Sequence, residues 1–180
     1  MSLEILTFPN KQLKEKSKEI KKISKTHEQL VREMFQTMYE AGGIGLAAPQ
    51  VGELIRLVVV DVPIVNPINP EKQTPDPVCF INPLVISGQG QAETEEGCLS
   101  CPELIVKVTR FDWIELQYLD LEGNQHINPF TGLKAVCIQH EIDHLNGVLL
   151  VDKVTRLERD LYRNKRIKIA ETEKDLENVI

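Results

Sequence analysis

Leu30, Val31, Met34, Phe35 and Met38 recur three or four residues apart until Gly42 and Gly43 end the run, which predicts an amphipathic helix packed on a core. Thr26, followed three residues later by Gln29, reads as its capping box. The methionines serve as core filler and need no cofactor to explain them. Residues 55–61, "IRLVVVD", are short and β-branched and predict a buried strand. Prolines at 63, 67, 70, 75 and 77 exclude helix and central strand from 63–77. That stretch is expected to be an irregular loop before "VCFINPLVI", an excursion and not a domain boundary.

Further along, Ile114, Leu116 and Tyr118 alternate with Glu115 and Gln117, the pattern of a half-buried antiparallel strand with "LEGNQ" as its turn. "LIVKVTR" precedes it as a second β-rich run. A helix is predicted over about 131–145, with Leu133, Val136, Cys137 and His140 on one face and Gly147 at the stop position. Thr155 and Glu158 form a capping box for a last helix reaching Lys168 or beyond, its outer face basic. Residues 11–25 are dense in lysine with few apolar anchors and read as a solvated, partly ordered lead-in. Internal repeats and low-complexity segments are lacking.

Composition narrows the class. At 180 residues the chain suits a single domain spanning 1–180, with the carboxy-terminal helix from about 155. Its 42% hydrophobic and 27% charged content is that of a folded globular protein. A net charge of -6 gives no general reason to expect DNA or other nucleic acid as partner. The apolar runs are too short for a membrane span, and "MSLEILTFPN" has the order of neither a signal nor a transit peptide. A cytoplasmic protein is the simplest expectation. Four cysteines without a secretory signal are expected to be free, buried or metal-bound.

Residues 137–147 read "CIQHEIDHLNG". On a helix, His140 and His144 lie one turn apart on the same face and can point at one ion, with Glu141 beside them. H-E-x-x-H is the spacing of a metal hydrolase, although so short a string also arises on surface helices with two ordinary histidines. A hydrolytic metal takes a third protein ligand. Cys79, Cys98, Cys101, Cys137, His27, His126 and any well-placed carboxylate are candidates, and spacing excludes few of them. Cys98 and Cys101 form a C-x-x-C, but its distance from His140 is far longer than in a zinc finger. Pro102 and the β-rich run after it also fit a thioredoxin-like helix start poorly.

Taken together, "GIGLAAPQVG" at 43–52, "EGCLS" at 96–100 and "QHEIDHLNG" at 139–147 resemble, in order and spacing, the three signature motifs of the peptide deformylases. The resemblance implies an α+β fold, with antiparallel β-sheets packed around a central helix carrying H-E-x-x-H and a carboxy-terminal helix. It implies removal of the N-formyl group from the N-terminal formylmethionine of nascent polypeptides, with release of formate. Cys98, His140 and His144 would be the metal ligands, with water in the fourth position as nucleophile. Fe2+ is the family's usual ion, and the ligand types equally accept Zn2+, Ni2+ or Co2+.

Glu141 would then be general base and later general acid. The Gln50 amide and the Leu99 N–H would stabilise the oxyanion. Gly43 and Gly45 would let an extended peptide lie close to the backbone. Ile44, Leu133, Val136 and Cys137 would form the methionine slot, though each also suits plain core. Arg110 matches a position near the substrate path, its ordinary alternative being a surface charge.

In similar enzymes the last helix docks on the ribosome; here it carries Arg156, Arg159, Arg163, Lys165, Arg166 and Lys168, which a merely solvated face would also explain. A monomer is expected. Glu103, where many relatives have glycine, and the 63–77 loop depart from the pattern and bear on the rim of the peptide site. The rival readings are an H-E-x-x-H zinc peptidase, which gives Cys98 and Gln50 no role, and a non-catalytic metal-binding protein of the same fold, which gives Glu141 and Gln50 none.

Overall fold

Leu57 to Val60 are all fully buried, and their alternation divides them between two cores. Val58 and Val60 pack with Ala135, Cys137 and Ile138, whereas Leu57 and Val59 pack with Val31, Met34 and Met38. A strand covered on both faces must be apolar at every position, which is why this run is continuous rather than alternating. The computed structural model describes residues 2–65, 68, 69 and 71–177, with side chains to residue 172.

Strands β1 (Gly45–Ala47), β2 (Leu57–Asp61), β5 (Pro77–Gln89), β8 (Trp113–Leu119) and β9 (Gln125–Thr131) form one sheet in the order β1-β2-β5-β8-β9. Every neighbouring pair is antiparallel. Helix α1 (Lys25–Glu40) lies on one face and α2 (Gly132–Leu145) on the other. Strands β6 (Ala92–Cys98) and β7 (Cys101–Arg110) make a separate hairpin, and α3 (Arg156–Glu177) closes the described chain. The chain thus has the expected α+β architecture. Among the described residues, no helix is long and apolar enough to cross a membrane.

Three local expectations change. Helix α1 is capped by Ser24, whose N–H donates to His27 Nδ1 at 3.1 Å, not by the Thr26–Gln29 pair. The 63–77 stretch holds a small ladder, β3 (Ile64–Val65) on β4 (Gln73–Thr74); Pro67 and Pro70 lie outside the described residues. Within the lysine-dense lead-in, Leu13 and Ile20 are buried and Ser17 N–H donates to Leu145 O at 2.9 Å. Two apolar anchors suffice to pin the segment, because lysine stems lie along the surface while their charges stay in water.

The lead-in passes tightly over the end of α2. Gly147 has φ +72, and a Cβ there would meet Lys14 O at 2.3 Å. Gly147→Ala therefore combines left-handed strain with a backbone clash and is expected to cost about 2 kcal/mol. Thermal unfolding should fall by roughly 4–8 °C for a chain of this size; an unchanged midpoint would show that the lead-in lifts away without loss.

Candidate metal centre and active-site cleft

Helix α2 is buried on most sides, and its period sets His140 and His144 one turn apart, with ring centroids 5.1 Å apart. Strand β6 ends at Cys98, beside the two-residue turn Leu99–Ser100. The ligand atoms of Cys98, His140 and His144 all lie within 4.8 Å of one another, and Cys98 Sγ is 3.2 Å from His144 Nε2. Among the third-ligand candidates, Cys98 is the one that meets both histidines; Cys101 is buried next to it, and Cys79, Cys137, His27 and His126 stand outside the triad.

Behind the triad lies a charged cluster. His140 Nδ1 is 2.9 Å from Glu96 Oε2, which leaves Nε2 free to serve as a ligand. Arg110 grips Glu96 with Nε on Oε1 at 2.6 Å and Nη2 on Oε2 at 2.7 Å, and its Nη1 donates to Asp143 at 2.9 Å. Lys153 also reaches Asp143, at 3.0 Å. Burial alone would raise the Glu96 carboxyl, but hydrogen bonds from Arg110 and His140 outweigh it and hold it down at about 2. Burial works against protonated His140 too, yet Glu96 and the Glu141 charge raise it. His144 moves the other way, lowered by burial and by the charges of His140 and Arg110.

Glu141 lies beside the triad but outside it. It is 4% exposed, burial pushes its carboxyl up to about 7, and its Oε2 meets no protein partner. A buried carboxylate oxygen without a partner is costly unless a proton, a water or a ligand meets it. The donor set makes the same point: a thiol and two imidazoles crowded together in a dry site suit a divalent cation, and these residues fit one.

The cleft in front measures about 610 Å³ and is lined by Gly43, Ile44, Gly45, Gln50, Cys98, Leu99, Leu133, Val136, Cys137, His140 and Glu141. Gln50, 2% exposed, is no surface loop glutamine. Its Oε1 accepts from Ala47 N–H at 2.8 Å, and its Nε2 donates to Ser100 Oγ at 3.1 Å and faces Cys98 Sγ at 3.7 Å. Leu133 and Ile44 are 58% and 40% exposed, so they offer apolar surface to the cleft rather than to the core.

Arg110 corrects the sequence reading. It does not line the cleft, and its Nε, Nη1 and Nη2 each donate to Glu96 or Asp143 behind the triad. Glu96, Asp143 and Ser100 are the contributors that sequence reasoning left without a role. All three stand inside the quoted motifs, but only proximity shows what they hold.

The polypeptide deformylase family model matches residues 2–160. A peptide deformylase of Rhodopseudomonas palustris is 44% identical over 169 residues, covering 93% of this chain and 94% of its own length. The structure of peptide deformylase from Ehrlichia chaffeensis in complex with actinonin superposes with a TM-score of 0.84 at 39% identity, over 93% of this chain and 98% of that one. The Met-Ala-Ser-bound peptide deformylase of Acinetobacter baumannii gives 0.77 at 32% identity, over 86% and 99% of the two chains. With similarity of this extent in both sequence and fold, the chain belongs to the polypeptide deformylase family.

Proposed function

We propose that the cleft hydrolyses the formyl amide of N-formylmethionyl nascent peptides, with Cys98, His140 and His144 as metal ligands and Glu141 as the proton carrier. The observation that carries this reading is a buried, unpartnered carboxyl beside a thiol–diimidazole triad, at the floor of a cleft with an apolar side. A cation held there supplies a Lewis acid that acidifies water and polarises the formyl carbonyl. Glu141 takes a proton from the attacking water and later delivers it to the departing amine, so that one water and one formamide become formate and a free amino terminus. The Gln50 amide, fixed by Ala47 and Ser100, and the Leu99 N–H donate to the oxygen on which charge develops.

Gly43 and Gly45 let the extended peptide approach, and Ile44, Leu133, Val136 and Cys137 receive the methionine side chain. The binding of Met-Ala-Ser by a relative is consistent with a peptide that begins with methionine. Gly45 tolerates no side chain: a Cβ would meet Glu141 Oε1 at 2.4 Å and Cys137 Sγ at 2.7 Å. Gly45→Ala should displace the carboxyl and lower kcat/KM by about tenfold. A variant as active as its parent would show that the carboxyl has room to move.

Fe2+ is taken as the working ion, with Zn2+, Ni2+ or Co2+ able to occupy the same ligands. The test is formate release from a formyl-Met peptide by protein handled without oxygen. Release with Fe2+, loss on chelation and recovery on reloading are expected. Cleavage of internal peptide bonds without formate would favour the zinc-peptidase reading, and metal binding without turnover the non-catalytic one.

The enzyme is read as a monomeric, single-domain cytoplasmic protein that meets its substrate at the ribosome. Exposed Arg156, Arg163 and Lys168 on α3 offer contacts to RNA phosphates. Replacing these three with glutamate should weaken salt-dependent cosedimentation with ribosomes; unchanged binding sinks that part of the reading.

A further inference from the structure

Cys101 has no part in the chemistry above, yet it faces the ligand cysteine directly. Cys98 and Cys101 are register partners at the end of the β6–β7 hairpin, separated only by the turn Leu99–Ser100. Partners directly opposite in an antiparallel pair project from the same face, with Cα atoms about 4.5–5.5 Å apart. That separation lies within the range a disulfide spans. Both side chains pack into one cluster with Phe8, Leu13, Leu149, Val151 and Tyr162.

Their exposures differ in a useful way. Cys98 lines the cleft and is open to small solutes, whereas Cys101 is 1% exposed and sealed behind it. Attack from solvent therefore falls on Cys98, with Cys101 buried next to it. Cys137, the other cleft thiol, is directed elsewhere, its Sγ lying 3.6 Å from Ile44 O.

We propose that Cys98 and Cys101 form a redox modification site, at which Cys101 resolves peroxide damage to Cys98 as a reversible disulfide and the metal is released. Hydrogen peroxide transfers one oxygen to the Cys98 sulfur, leaving water and a sulfenic acid. The Cys101 sulfur attacks that sulfur, the S–O bond breaks, and a second water departs with the Cys101 proton. Two thiols thus give up two protons and two electrons, which reduce one peroxide to two waters. The new bond removes the thiolate ligand, leaving only His140 and His144. Because the closed loop is so short, the disulfide restricts the unfolded chain little and should yield readily to a dithiol.

The inference rests on the proposed function only in taking Cys98 as a ligand. Its test reads thiols and cation, not formate, so a protein inactive on formyl peptides would still answer it. Full-length protein loaded with redox-inert Zn2+ is treated with hydrogen peroxide, alkylated and cleaved after glutamate, which isolates residues 97–103 with these two cysteines alone. Loss of two of the four thiols is expected, with this fragment left unalkylated at about 2 Da below its free dithiol mass, zinc released in step, and all three changes reversed by dithiothreitol. In Cys101→Ser, and in Cys101→Ala should the hydroxyl disturb the buried site, the fragment should instead gain about 32 Da and zinc binding should not return. A native fragment that gains oxygen, a disulfide mapping to Cys137, or full recovery in the Cys101 variants would each overturn the proposal.

Discussion

Glu141→Ala is expected to lower kcat/KM for a formyl-Met peptide by about 10³-fold while the bound cation stays at the parent level. The two halves of this outcome are independent. Glu141 is not one of the three ligand residues, so its removal leaves the donors of Cys98, His140 and His144 in place. What disappears is the one buried carboxyl near them that has no protein partner and is poised by burial at about 7, where it can both accept and return a proton. Metal analysis beside formate assay checks both halves. His144→Ala is the contrasting control, since it should lose cation and activity together. Undiminished formate release by the metal-loaded Glu141→Ala protein would remove Glu141 from the mechanism and return the proton to solvent.

Arg110→Ala is expected to destabilise the fold by about 3–5 kcal/mol, the cost of leaving a buried charge without its partner. Glu96 is 7% exposed and takes two hydrogen bonds from Arg110, and Asp143 takes a third. With the guanidinium gone, Glu96 keeps only the Thr94 hydroxyl, at 3.2 Å, and His140, whose ring it orients. Urea unfolding measures the loss, and the thermal midpoint should drop by roughly 6–20 °C. Arg110→Leu combined with Glu96→Leu should recover part of it, because an apolar pair of similar volume avoids the desolvation cost altogether. A single-variant effect below about 1 kcal/mol would mean that the pair is screened as surface pairs are.

Peroxide sensitivity adds a chemical dimension to the same hairpin. The turn next to Cys98 carries Ser100, which holds Gln50, so the proposed oxidation at Cys98 would strike where the proposed metal site and oxyanion donors meet.

Much of the chain was legible before any coordinates. Period 3.6 marked α1 and α2, period 2 marked β8, and Gly147 marked the end of α2, because these are local consequences of backbone geometry. The second capping box holds as read, with Thr155 N–H donating to Glu158 Oε2 at 2.9 Å. Thr26 failed as a cap because Ser24, two residues earlier, has an imidazole rather than a carboxamide at the third helical position. The lead-in looks solvated from its charge density alone, because burial of Leu13 and Ile20 depends on surfaces far along the chain. Arg110 follows the same rule: an arginine between strand residues looks the same in sequence whether it faces solvent, a peptide or, as here, a buried glutamate.

The sequence by itself determined the helix that places His140, Glu141 and His144 together, the alternating strands, and through its three motifs the family and the reaction to expect. Only the tertiary structure decided which carboxylate orients His140, what fixes the Gln50 amide, and where Arg110 spends its charge. The division follows from distance along the chain. Residues three or four apart are neighbours by helix geometry alone, whereas Cys98 and His144, or Glu96 and His140, come together only when a hairpin and a helix are packed on a common core.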